Sequence, residues 1–177
     1  MGTGIIVCGL NGSGKSTLGK ALSEKLGLYF IDVEELYFPK TNPDYVYASS
    51  RSEDEVAKLL ADEIQAHESF VFAAVRGNYG ADAHSYYQFA VHIDVAKDIR
   101  MQRVRNRSFQ KFGQRMLPGG DLYEREEAFF DMVNSRQSSH AEKWLQSLDC
   151  PVIRVDGTKP VEENVTYIIQ QLRNCSK

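Results

Sequence analysis

The sequence predicts an α/β fold in three layers, a five-stranded parallel sheet with helices on both faces. Three observations lead there. Five short apolar runs are spaced along the chain, at Gly4–Leu10, Leu28–Ile31, Phe70–Val75, Phe89–Ile93 and Pro151–Val155. Longer stretches of helical period separate them, and such alternation gives parallel strands joined by crossover helices. The central runs are continuously apolar, as strands buried on both faces must be.

The elements follow in order. Gly4–Leu10 (GIIVCGL) reads as a buried first strand. In Lys15–Leu26, the residues Leu18, Ala21, Leu22 and Leu26 share one helix face, and Gly27 supplies the stop. Leu28–Ile31 is the second strand. Residues 38–51, rich in Pro, Asn, Ser and Tyr, read as irregular. Ser52 and Glu55 form a capping box that opens a helix with Val56, Leu59, Leu60 and Ile64 on one side. Phe70–Val75 is the third strand, broken by Gly77–Gly80, and Phe89–Ile93 is the fourth. A basic helix is predicted from about Ala96 to Arg107, then a Gly/Pro loop over Gly113–Gly120. Asp121–Leu148 reads as one long helical stretch. After the fifth strand, Asp156-Gly-Thr-Lys-Pro160 turns into a last helix carrying Val161, Val165, Ile168, Ile169 and Leu172. With no repeat, low-complexity tract or linker, residues 1–177 read as one domain.

Composition narrows the class. The chain has 177 residues, 42% hydrophobic, with 25% charged residues and a net charge of -3. That balance suits a globular core and argues against a basic nucleic-acid binder. No apolar run approaches the ~20 residues of a membrane span, and the start lacks the pattern of a signal peptide. Cys8, Cys150 and Cys175 are odd in number and far apart, which reads as reduced thiols in a cytoplasm. The Asn-x-Ser/Thr triplets at Asn11, Asn106, Asn164 and Asn174 read as chance. His67, His84, His92 and His140 show no metal spacing and read as surface or structural.

Gly9-Leu-Asn-Gly-Ser-Gly-Lys-Ser16 matches the phosphate-loop pattern G-x-x-x-x-G-K-[ST] between a strand and a helix. Gly9, Gly12 and Gly14 let the chain bend around an anion. The amides of Asn11, Ser13 and their neighbours then point inward, beside the positive end of the following helix. Lys15 reaches the β- and γ-phosphates, Ser16 places its hydroxyl on Mg²⁺, and Thr17 bonds an α-phosphate. The expected cofactors are ATP and Mg²⁺. The pattern alone leaves kinase, ATPase, GTPase and switch open. The guanine motif N-K-x-D is missing, as is a D-x-x-G after the third strand. That strand ends Val75-Arg76-Gly77 rather than on the acid of motor ATPases.

On these residues the chain resembles the superfamily of small P-loop kinases that includes nucleoside monophosphate, shikimate and gluconate kinases. Within it, the likeness is strongest to uncharacterised bacterial AAA-family or kinase-like ATP-binding proteins. The resemblance implies the three-layer P-loop NTPase fold with a small lid at about 108–121 and an acceptor-binding region at about 34–66. Asp32-Val33-Glu34 looks like the D-x-D of shikimate kinases. It gives Asp32 a role near Mg²⁺ or in orienting a hydroxyl, and Glu34 a role in binding the acceptor; strand alternation puts both on one side. A plain acidic helix N-terminus is the alternative.

Arg100, Arg103 and Arg107 fall on one helix face, and Arg105 points elsewhere. The resemblance makes Arg103 and Arg107 lid arginines that clamp the transferring phosphate and stack on adenine. A solvated helix face is the competing reading. Gly113, Gly119 and Gly120 become possible hinges, and Arg115 a further phosphate contact. Gly157, Thr158, Lys159 and Pro160 match the loop that cradles adenine. Arg76 and Gly77 at the end of strand three, and Arg136, match acceptor-binding positions. Tyr37, Phe38, Tyr45 and Tyr47 read as packing rather than pocket wall, and Trp144 as core. The expected activity is an ATP- and Mg²⁺-dependent kinase acting on a hydroxyl or phosphate of a small-molecule acceptor. The alternatives are a nucleotide-binding switch or slow ATPase, and a nucleic-acid 5′-end kinase. The sequence leaves acceptor identity and oligomeric state open.

Overall fold

A computed structural model describes residues 2–80 and 83–175. The strands are β1 (Gly4–Cys8), β2 (Tyr29–Asp32), β3 (Phe70–Ala74), β4 (Phe89–Asp94) and β5 (Val152–Asp156). The helices are α1 (Lys15–Leu26), α2 (Val33–Tyr37), α3 (Glu53–Ala66), α4 (Lys97–Phe112), α5 (Tyr123–Ser135), α6 (Ser138–Gln146) and α7 (Val161–Cys175). All strand pairs are parallel, in the order β2-β3-β1-β4-β5. The phosphate loop therefore leaves the central strand.

Alternation along β1 explains the two-faced core. Ile6 and Cys8 join Phe72, Leu60 and Trp144 on one face. Ile5 and Val7 join Leu18, Leu22 and Ile168 on the other. α1 and α7 thus cover one side, and α3 and α6 the other. Gly27 closes α1 at φ 68°, and the capping box at Ser52 and Glu55 forms as predicted. No described helix is long and apolar enough to cross a membrane.

Three expectations are corrected. The basic helix runs past Arg107 to Phe112, because Ser108–Phe112 holds no breaker and Gly113, at φ 55°, is the first residue to leave the helix. The 108–121 segment is therefore helix, a short 3₁₀ turn at Gly113–Met116, and then a turn. The stretch Asp121–Leu148 splits into α5 and α6 at Arg136 and Gln137, where extended backbone replaces helix; Asn134, Ser135, Ser138 and Ser139 around it favour local bonds over helix. The chain after Asp32 becomes α2, not more strand. α4 and α5 form an arm with its own apolar cluster of Val104, Met116, Phe130 and Val133.

Candidate active site

The phosphate loop is set by glycine and by one buried arginine. Gly12 and Gly14 adopt φ 81° and 94°, the left-handed region that glycine enters at little cost. A Cβ on Gly12 would lie 2.3 Å from the Arg100 carbonyl oxygen. Arg100 itself is 6% exposed. Its Nε donates to Val95 O at 3.1 Å and its Nη1 to Asn11 O at 3.3 Å. Arg100 thus pins the loop from beneath instead of joining the solvent-facing stripe. Gly14 caps α1 without a side-chain partner, so the first amides of a three-turn helix remain open to an anion. Ser13 is buried, and its Oγ has no partner among the described residues.

Lys15 is half-buried, and its ammonium lines a cavity of about 590 Å³. Desolvation lowers its pKa from 10.5 to about 8. Asp32 and Glu34 oppose that shift, while Arg107 and Arg136 reinforce it. One site therefore gathers three cations and two carboxylates.

Asp32 ends β2 and caps α2, its Oδ1 accepting from Glu34 N at 2.9 Å. The helix-cap alternative is therefore realised. Strand alternation does not align Asp32 with Glu34, since Glu34 lies in the first turn of α2; both still line the cavity. Glu34 accepts from Tyr47 Oη at 2.7 Å and lies 3.5 Å from Lys111 Nζ and 3.9 Å from Arg107 Nη1. Burial raises the Glu34 pKa, but the Tyr47 hydrogen bond and the two cations outweigh it and hold the carboxyl below its usual value. Lys111 also contacts Tyr47 Oη directly.

Arg136, at the α5–α6 break, donates to Asn11 Oδ1 at 2.6 Å. Arg76 is exposed at the end of β3 and lines the same cavity. Gly77 does not line it: its added Cβ would meet Ile6 Cδ1 at 2.4 Å, and its carbonyl accepts from Tyr87 Oη at 3.0 Å. Tyr37, Phe38, Tyr45 and Tyr47, expected to be packing, form cavity wall. Trp144 is core, at 8% exposure.

Arg103 spans the other side of the phosphate loop. It donates to Gly157 O from Nη1 and Nη2, at 3.1 and 3.0 Å, and to Gly12 O at 3.4 Å. The loop after β5 packs on the phosphate loop: a Cβ on Gly157 would stand 2.7 Å from Ser13 O. Asp156 Oδ1 accepts from Thr158 N at 2.8 Å and from its Oγ1 at 2.6 Å. Thr158, Lys159 and Pro160 are exposed, as is Thr17 on α1, and Lys159 pairs with Glu163 at 2.7 Å. Ser16 lies beside Lys15 on the cavity.

Arg115 does not approach the phosphate loop. Its Nε and Nη2 bind Asp121 at 3.0 and 2.7 Å, and its Nη1 donates to Asp44 O at 2.8 Å. Arg105 pairs with Glu127 at 2.9 Å and lies over the Phe130 ring. His67 stacks on Tyr29 and His84 meets Trp144 edge-on, while His92 contacts Arg154. The side chain of His140 lies outside the described residues. No cluster of three His, Cys, Asp or Glu among the described residues has the form of a metal site.

Lys111 and the pair Tyr45–Glu126 escaped sequence reasoning. The signal for Lys111 was present: it continues the stripe of Arg100, Arg103 and Arg107 by one turn, provided the helix is carried to Gly113. Tyr45 donates to Glu126 Oε1 at 2.9 Å across 81 residues of sequence, which no local pattern reveals. Glu126 is 1% exposed.

Comparison with known proteins agrees with this geometry. The family described as "AAA domain" matches residues 5–128. The uncharacterized protein YqaC of Bacillus subtilis (strain 168) is 30% identical over 176 residues, covering 95% of this chain and 96% of the relative. Shikimate kinase from Aquifex aeolicus vf5 superposes with a TM-score of 0.58 at 22% identity, covering 98% of both chains. A gluconokinase from Sinorhizobium meliloti 1021 gives 0.54 at 17% identity, covering 99% of this chain and 98% of the other. Those two likenesses are likenesses of fold. The family match begins in β1 and takes in the whole strand–loop–helix unit that builds the phosphate cradle, and the chain accordingly belongs to the AAA domain family, on the fold of the small P-loop kinases.

Proposed function

We propose that the protein is an ATP- and Mg²⁺-dependent kinase that phosphorylates a hydroxyl or phosphate of a small-molecule acceptor. The observation that carries this reading is the cavity itself. One continuous space of about 590 Å³ is lined by Lys15 and Ser16 of the phosphate loop together with Asp32, Glu34, Arg76 and Arg136. An ATPase or switch has no need of a cavity of that size and charge beside the phosphate loop.

The residues fit the nucleotide. Two glycines at positive φ and an uncapped helix start offer amides, and the ammonium of Lys15 is desolvated and in no ion pair among the described residues. Lys15 and the loop amides would hold the phosphates. Arg103, Gly157, Thr158, Lys159 and Pro160 would bound the base, with Thr17 beside the α-phosphate. Ser16 and Asp32 would hold Mg²⁺. The bound nucleotide would supply the phosphoryl group, and the metal would spread its charge.

Each side chain then has a defined task. Lys15 and Arg107 stabilise negative charge between them. Asp32 Oδ1 is engaged by an amide, so Oδ2 is the oxygen that takes a hydroxyl proton or meets the cation. Arg76 and Arg136 hold an acidic group of the acceptor. The 108–121 segment acts as the lid, its Lys111 and the preceding Arg107 closing on Glu34 to exclude water. A cytoplasmic setting belongs to the same proposal, supported by three free thiols.

The test is a panel of hydroxyl and phosphate acceptors with labelled ATP, run beside Lys15→Ala. Slow hydrolysis alone and a large rise with one acceptor class is the expected result. Unchanged turnover in Lys15→Ala, or hydrolysis indifferent to every acceptor, refutes the proposal.

A further inference from the structure

The acceptor end of the cavity is rich in aromatic side chains whose polar tips are already engaged. Tyr45 donates its hydroxyl to Glu126 Oε1 at 2.9 Å, and Tyr47 donates to Glu34 Oε1 at 2.7 Å. Tyr37 and Tyr79 hydrogen-bond each other and meet edge to face with ring centroids 6.1 Å apart. Phe129 and Met132 add apolar surface from α5. Ser50, Glu53, Asn78 and Gln137 also line the cavity, but at the tyrosines an occupant meets ring faces and edges, not free hydroxyls. A polyol brings several hydroxyls out of water, and each one left without a partner weakens binding. This wall suits a flat body better.

Charge around the cavity is unevenly paired, with Asp32, Glu34 and Glu53 facing Lys15, Arg76, Arg107 and Arg136. Glu34 is answered by Arg107 and Lys111. Arg76 and Arg136 form no ion pair among the described residues; Arg136 donates to the neutral Asn11 Oδ1. Burial disfavours the charge of Arg136; Tyr79 and Tyr37 beside it oppose that, and the nearby Arg76 guanidinium adds to it. Two neighbouring cations on one cavity wall beside edge-to-face rings are complementary to an anion carried on a ring.

Resting on the kinase reading and narrowing it, we propose that the acceptor is a flat, ring-bearing anion, an aryl or heteroaryl carboxylate or phosphate. Its anionic group sits between Arg76 and Arg136, and its ring lies against Tyr37 and Tyr79. This sets it apart from the polyhydroxylated acceptors of sugar-type kinases.

Binding is read without nucleotide, by saturation-transfer NMR and calorimetry on the full chain. The probes are benzoate and phenyl phosphate as ring anions, benzyl alcohol as a ring without charge, and gluconate as charge without a ring. Both ring anions are expected to bind at least about tenfold tighter than benzyl alcohol or gluconate, and the tighter of the two identifies the anion. Arg76→Gln and Arg136→Gln are each expected to weaken the ring anions about tenfold and to leave benzyl alcohol unchanged. Arg76 is exposed, so its variant should fold. Gluconate binding as tightly as the ring anions overturns the proposal. Ring-anion binding indifferent to both arginines, or absent altogether, also overturns it. A chain that binds ring anions but transfers no phosphoryl group retains this proposal and refutes the kinase reading. A chain that phosphorylates a polyol in preference to ring anions does the reverse.

Discussion

Arg103 and Gly157 are joined by two hydrogen bonds, one guanidinium donating twice to a single carbonyl oxygen at 3.1 and 3.0 Å. With the longer bond to Gly12 O, one side chain ties α4 to the loops that follow β1 and β5. The bonds are solvent-exposed, so they add little to stability. Arg103→Ala should lower unfolding stability by less than about 1 kcal/mol and weaken MgATP about tenfold or more. Calorimetry and thermal unfolding on the same preparation check both. A large loss of Tm with unchanged affinity would reassign Arg103 to the scaffold.

Lys15 offers a prediction with a sign. Its folded pKa, about 8, lies below the usual 10.5 because its ammonium is desolvated. The folded state therefore carries a penalty that is present in full below pH 8. The penalty shrinks as pH rises through 8 and is gone near 10.5, where the unfolded chain also loses the proton. Lys15→Met should stabilise the nucleotide-free protein at neutral pH by about 1–3 kcal/mol, the gain fading toward pH 10. The same variant should lose MgATP binding by roughly three orders of magnitude. Wild-type affinity should fall by up to about tenfold per pH unit above 8. Urea unfolding across pH and calorimetry read the two effects; a destabilised Lys15→Met refutes the first.

Gly12 and Gly14 separate two costs of one substitution. Both have positive φ, but an added Cβ at Gly12 would stand 2.3 Å from Arg100 O, whereas at Gly14 nothing lies within 4 Å. Gly14→Ala should lose about 1–2 kcal/mol from the left-handed backbone alone. Gly12→Ala should lose several kcal/mol, because backbone must move as well. Denaturant midpoints compare them directly, and equal losses would show that the Arg100 carbonyl gives way freely.

Tyr45 and Glu126 hold the arm against the 38–51 segment. Tyr45→Phe leaves Glu126 buried without its partner, which should cost about 1–3 kcal/mol. Glu126→Leu in the Tyr45→Phe background should restore part of that loss, since an apolar residue leaves no buried polar group without a partner. A double-mutant cycle by urea unfolding gives the coupling. Additive single effects would mean that the pair does not act as a unit.

Parts of this molecule were legible because their physics is local. The phosphate loop is one contiguous run whose glycines and lysine carry the whole signal, and Phe70–Ala74 announces a central strand by having no polar residue. Asp32 was legible as the last residue before the chain leaves a strand. What stayed hidden depends on where elements end or dock. One missed helix turn, Ser108–Phe112, hid Lys111. The break at Arg136 lay inside a stretch, Asp121–Leu148, with no Gly or Pro to mark it. Gly77 has the pattern of a strand-end site residue, yet its lack of a side chain serves the close approach of Ile6 and Tyr87. The aromatic wall read as packing because each ring does pack, against its neighbours, while presenting its other side to the cavity.

Every strand runs in the same direction, so the chain leaves the sheet five times at a common rim, and each departure opens a connection whose length the strands do not constrain. Residues 38–51 form one such connection: they supply Tyr45 and Tyr47 to the cavity and no strand to the sheet. Ligand preference and architecture are thereby inherited through separate stretches of sequence, and descent can rewrite the first while leaving the second untouched.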